Sequence, residues 1–211
     1  MKHFDYNPII GSVERDEKLE NTFLIVDTET GGIDPEKHSL LEIAGCAWHP
    51  GDEPEKLFSF YVREPSLVVD QRALNVNKIN LNQVIEEGLT PNLACRKIYS
   101  IVRPYWMKST NKTIKPTMIC HSSWFDWQFL KRLHNMGNFP LEHISDRIMD
   151  TRSIMKFLQL SSFPDLKSSS FDRLLQLAEI QIQDDERHTA LGDAMVLGRA
   201  MNKILEKLNG N

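Results

Sequence analysis

VDTETGGIDPEKHSLLEIA, residues 26–44, runs from the end of one short apolar segment into the start of the next. FLIV at 23–26 is too brief for a helix and rich in strand formers. LLEIAGCAW at 40–48 and KLFSFYV at 56–62 repeat the pattern beyond turns containing Gly, Pro and Asp. The spacing predicts a meander of three strands beginning near Asn21. At the end of the first strand stand Asp27 and Glu29, which in an extended chain project from the same face. Two anions held side by side call for a cation, and a hard divalent ion such as Mg²⁺ takes carboxylate oxygens while keeping room for phosphates. Solvated acids at a strand end would read the same way, so the pair alone leaves both readings open.

Of three other uses of this stretch, a calcium loop fails on the residues, a Gly-rich phosphate cradle fits poorly, and a phosphotransferase with Asp27 as nucleophile stays as a less favoured alternative. A calcium loop of EF-hand type starting at Asp27 would need Glu at its twelfth position, which is His38. A phosphotransferase of haloacid-dehalogenase type with Asp27 as nucleophile would want Asp at 29, and GDAMVL offers Leu197 where its second metal-binding acid is expected. Gly31 and Gly32 are not followed by GK[ST], so no phosphate-cradling loop is built here.

Beyond the meander the pattern alternates. Apolar positions from Asn92 to Trp106 recur at helical intervals behind Pro91, KSTNKTIK (108–115) reads as a loop, and PTMIC (116–120) as a strand. Phe125, Phe129, Leu130 and Leu133 mark a helix ending near Gly137. RIMD (147–150) reads as a strand followed by a helix through Leu160, and residues 161–170 as a Ser-rich loop. Helices over 171–180 and 189–208 complete the chain. The expectation is an α/β domain with a mixed sheet over residues 21–211, preceded by a polar lead-in at 1–20.

Composition narrows the class. With 41% hydrophobic and 26% charged residues the chain has globular proportions, and no apolar run is long enough for a membrane span or shaped as a signal peptide. A cytoplasmic protein is expected. Cys46, Cys95 and Cys120 form no CxxC pair and read as buried thiols. A net charge of −4 and a pI near 6.0 do not advertise a nucleic-acid binder, although carboxylates gathered around metal ions would mask a local basic rim. Lys108, Lys112, Lys115, Lys131 and Arg132 are the candidates for such a rim.

Two further segments carry candidate chemistry. HSSWFDWQFL (121–130) places Asp126 just inside a helix, where the helix dipole alone would favour it. RHTALGDAMVLGRA (187–200) places His188 five residues before Asp193. In one continuous helix they would point about 140° apart, so His188 must lie on the preceding loop if both face one site.

Taken in order, VDTETGGIDPEKHSLLEIA, HSSWFDWQFL and HTALGDA resemble the three motifs of the DnaQ-like, or DEDDh, exonuclease family, across about Thr22 to Met201. The resemblance implies a ribonuclease H-like fold with a five-stranded mixed sheet, and 3′-to-5′ hydrolysis of nucleic-acid ends to nucleoside 5′-monophosphates. It implies that Asp27, Glu29, Asp126 and Asp193 bind two divalent cations, Mg²⁺ or Mn²⁺, and that His188 is the general base, with activity falling under mildly acidic conditions. Thr30, Ile33 and Phe125 map to contacts with the terminal nucleotide. Asn77 in LNVNKIN stands where the family's Val-His-Gly-Ile segment has histidine, and Ser122 replaces the usual Asn of the second motif. The expected partners are single-stranded DNA or RNA 3′ ends, and a homodimer would extend the substrate surface. Only the rest of the last helix follows Asp193, so a free-standing trimming or repair nuclease is expected rather than a tethered proofreading subunit. A catalytically silent module with the same fold would show an eroded ligand set, and all four acids and the histidine are present.

Overall fold

The first strand, β1 (Phe23–Thr30), pairs antiparallel with β2 (Leu40–Trp48), which pairs antiparallel with β3 (Glu55–Tyr61), giving the meander expected from the apolar runs. In this computed structural model, which describes residues 21–109, 112–141, 144–145, 147–182 and 187–210, β1 also pairs in parallel with β6 (Thr117–Cys120) and β6 with β7 (Ile148–Asp150). The sheet is five-stranded and mixed, in the order β3-β2-β1-β6-β7, so β1 is central. The lead-in at 1–20 lies outside the described residues.

Seven-residue helices α1 (Gln71–Asn77) and α2 (Leu81–Glu87) follow the meander, where no element was expected. Each is too short for its apolar period to be legible. Their signal is the cap, since Asp70 and Asn80 accept the backbone N–H two residues on. α3 (Pro91–Val102) begins on Pro91 as expected, and α4 (Ser123–Gly137) follows β6. α5 (Thr151–Ser161), α6 (Phe171–Ala178) and α7 (Ala190–Leu208) complete the pattern. Segment 108–115 is not a plain loop. Met107–Ser109 (β4) and Lys112–Ile114 (β5) pair as a small antiparallel ribbon, whose polar sequence carries no apolar period to announce the strands.

Two cores sandwich the sheet. Leu24, Val26, Met118 and Cys120 join α3 and α4 on one face, whereas Ile25, Cys46 and Ile119 join α5, α6 and α7 on the other. All three cysteines are buried and free. Gly198 lets α7 lie close to the sheet edge, since a Cβ there would meet the Pro54 ring at 2.4 Å. Among the described residues no helix is long and apolar enough to cross a membrane.

Candidate active site

The pleat of β1 decides which acid faces which helix. Asp27 and Glu29 continue the side of Ile25, toward α7, and Thr28 continues the side of Val26, toward α4. On the α7 side, Thr189 caps the helix by accepting from the Gly192 N–H at 3.1 Å, which fixes Asp193 in the first turn. One carboxylate oxygen from each of Asp27, Glu29 and Asp193 lies within 4.8 Å of the others. On the opposite side Asp126, in the first turn of α4 and 2% exposed, accepts a hydrogen bond from Thr28 Oγ1 at 2.7 Å. Asp27 therefore has Glu29 and Asp193 on one flank and Asp126 on the other.

These acids hold their charge poorly by themselves. Burial, then the charges of Asp126, Glu29, Asp193 and Glu42, raise the Asp27 carboxyl well above the usual range. Burial, Asp193 and Glu42 push Glu29 up to about 8, against a hydrogen bond from Asn77 that works the other way. Burial raises Asp193 despite Arg187 and His188 beside it, and raises Asp126 despite the Thr28 hydroxyl. Asp193 Oδ1 is buried and makes no hydrogen bond. An all-carboxylate donor set with mutually repelling charges, and a buried oxygen whose nearby cation makes no hydrogen bond to it, fits hard divalent cations such as Mg²⁺ or Mn²⁺.

His188 lies in the turn before α7, as the helical geometry required. Its backbone is left-handed (φ 60°), and its N–H donates to the Asp193 carboxylate. The expected substrate contacts divide. Ile33 is 85% exposed on the β1–β2 loop, and Phe125 is half-buried with its ring 5.0 Å from that of Phe129. Thr30 is buried and donates to Gly32 O, and Asn77 is buried and donates to Thr30 O at 3.1 Å, so both brace the strand end that carries Glu29.

Arg132 is not part of a basic rim. Its guanidinium donates twice to Glu64, at 2.9 and 2.8 Å, and to the carbonyls of Pro35 and Glu36, tying α4 to the β1–β2 loop. Glu64, with its side chain 0% exposed, also accepts from Leu40 N, and no other cation would satisfy both its oxygens. Lys131 and Lys115 lie over the rings of Trp127 and Trp106, and the side chains of Lys108 and Lys112 lie outside the described residues.

Three residues of the site went unread in the sequence. Glu42 sits opposite Glu29 in the ladder and accepts from Ala190 N at 3.4 Å; the signal was an acid inside the apolar run LLEIA. Arg187, directly before His188, lies 3.5 Å from Asp193 Oδ1 and 3.2 Å from Asp172, over the Phe171 ring. Asp150 accepts from the N–H groups of Ser122 and Arg152, so one carboxylate holds the start of α4 and caps α5.

The model of the exonuclease family described as RNase T matches residues 24–201. The chain is 29% identical over 200 residues to ribonuclease T of Wigglesworthia glossinidia brevipalpis, covering 90% of this chain and 89% of that one. It is 26% identical over 188 residues to the 3′-5′ DNA exonuclease Cap18 of Escherichia coli, covering 88% of this chain and 94% of the other. Similarity to the PolC-type DNA polymerase III of Oceanobacillus iheyensis, 23% over 198 residues, spans 92% of this chain but only 12% of the polymerase. Among solved structures, E. coli exonuclease I in complex with a 5cy-dA13 oligonucleotide superposes with a TM-score of 0.69 at 17% identity, over 89% of this chain and 40% of that one. At that identity the likeness establishes the fold, which is ribonuclease H-like.

Proposed function

The chain belongs to the RNase T exonuclease family, and from that premise we propose a 3′-to-5′ exonuclease that trims single-stranded DNA or RNA ends in the cytoplasm with two divalent cations and a histidine base. That it is a hydrolase acting on nucleic acid follows from the family and from relatives named as 3′-5′ exonucleases. The observation that carries the finer reading is the convergence of Asp27, Glu29 and Asp193 within 4.8 Å, with Asp126 closing the group from the other face of the sheet.

Asp27, Glu29, Asp126 and Asp193 would hold Mg²⁺ or Mn²⁺, and when bound the ions supply Lewis acidity to the phosphodiester and offset the charge that develops on it. The chain's own residues do the rest. His188 takes the proton of the attacking water from its turn beside Asp193, where its backbone is left-handed. Thr28 fixes the Asp126 carboxylate, Asn77 fixes the end of β1, and Arg187 flanks Asp193. Ile33 and Phe125 offer apolar surface to the terminal base, and Thr30 shapes the turn that leads to Ile33. The product is a nucleoside 5′-monophosphate.

Oligonucleotides labelled at the 5′ end, one DNA and one RNA, test the reading with Mg²⁺ or Mn²⁺ and with chelator. Stepwise shortening that requires metal and disappears in Asp193→Asn is the expected result, and the faster substrate assigns the class. Intact oligonucleotides in saturating metal would sink it. Gel filtration of the same protein reports whether a homodimer forms.

A further inference from the structure

A cleft of about 910 Å³ opens between α1 and α6 and has Arg187 and His188 in its wall, so it adjoins the turn that carries the candidate base. Asn75, Val76 and Lys78 line it from α1, and Gln176 and Arg187 from the far side. Two of its acids are already neutralised, Asp172 by Arg187 at 3.2 Å and Glu179 by Lys207. Lys78 is exposed, and among the described residues no carboxylate pairs with it.

The backbone under Lys78 sharpens the point. Helices α1, α4 and α6 all end on a left-handed residue, Lys78 at φ 55°, Asn138 at φ 47° and Glu179 at φ 57°. Asn tolerates this conformation through its short polar side chain, and Glu179 spends its side chain on Lys207. At Lys78 the backbone N–H closes α1 by donating to Leu74 O, which asks nothing of the side chain. What it delivers is an unneutralised ammonium on the lip of a cleft beside His188.

We propose that this cleft receives the strand upstream of the scissile bond and that Lys78 contacts a backbone phosphate there. The inference rests on the exonuclease reading, since it names where the rest of that substrate lies. Apolar Val76 and Leu175 and the amides of Asn75 and Gln176 suit an unstacked nucleotide, while one point charge suits a phosphate without selecting a base.

The test is the salt dependence of binding. A fluorescein-labelled ten-residue oligothymidylate is titrated with the protein in chelator, which prevents cutting, across a range of NaCl concentrations. For a single strand, each phosphate neutralised contributes about 0.7 to the slope of log K against log salt. Lys78→Met is therefore expected to lower the slope by about 0.7 and to weaken binding roughly three- to tenfold at low salt, and Lys78→Arg to restore both. Thermal melting checks that each variant is folded. A Lys78→Met slope equal to that of the unmodified protein overturns the cleft assignment while leaving the exonuclease reading in place. A protein that binds with the Lys78-dependent slope but shortens no strand when metal is added overturns the chemistry and leaves the cleft.

Discussion

Glu64 and Glu29 are both carboxylates taken out of water, and their surroundings treat them in opposite ways. Glu64 receives two hydrogen bonds from Arg132 and one from Leu40 N, so every demand of its charge is met within the protein. Glu29 has Asp193, Glu42 and Asp126 as neighbours and only Asn77 as a favourable partner, so one hydrogen bond stands against three repelling charges. The first arrangement locks the β1–β2 loop to α4. The second stores unfavourable electrostatics that a bound cation would relieve. Burial of charge is thus no guide to function until its partners are counted.

The widest separation between the two regions is expected from neutralising one acid in each. Asp193→Asn should reduce exonuclease activity at least about 10³-fold while leaving the metal-free protein as stable as before or more so, because it removes a repelling charge. Activity surviving in that variant would break the comparison. Arg132→Met should do the reverse, costing about 3–5 kcal/mol in a denaturant titration by stranding Glu64, while the activity per folded molecule stays close to normal. The double change Arg132→Met with Glu64→Leu should recover most of that loss, since neither charge is then left buried alone.

The response to pH sharpens the contrast. Glu29 is raised from its ordinary 4.5 to about 8, so between those values the folded protein binds more protons than the unfolded chain. Its contribution to stability is therefore fully present below about pH 4.5 and is lost as pH rises through 8. Metal-free protein should show a melting temperature that declines from pH 5 to 8 by an amount equivalent to a few kcal/mol, and Mn²⁺ should remove most of the decline. A flat profile in chelator would mean that the cluster is solvated rather than strained.

The smallest effect concerns the entrance to α4. Ser122 adopts φ 71° and ψ 51°, a left-handed conformation that Asn tolerates better. Ser122→Asn should raise stability by about 0.5–1 kcal/mol, read from the denaturation midpoint.

How much of this was legible follows from the range of each signal. The three strands of the meander, α3, α4 and α7 announce themselves because their apolar periods run long enough to be counted. Helices α1 and α2 and the β4–β5 ribbon do not, being too short or too polar to carry a period. Asp27, Glu29, Asp126, His188 and Asp193 could be nominated because each stands at a strand end or a helix entrance inside a recognisable motif. Arg132 could stand only as a rim candidate, since a cation on a helix looks solvated until the acid 68 residues away is seen beneath it.

The sequence by itself determined the meander, the longer helices and the family, and it nominated the acids, because those depend on local propensity and spacing. Only the tertiary structure decided how the acids divide. The alternation of β1 sends Asp27 and Glu29 toward Asp193 on α7, and Thr28 toward Asp126 on α4, so the site closes around the end of the central strand from both faces of the sheet. It also decided that Glu42 repels the cluster and that Asn77 supports it. Those assignments depend on which residues meet across the sheet and between layers, and contacts between segments distant in the chain leave no trace in local sequence.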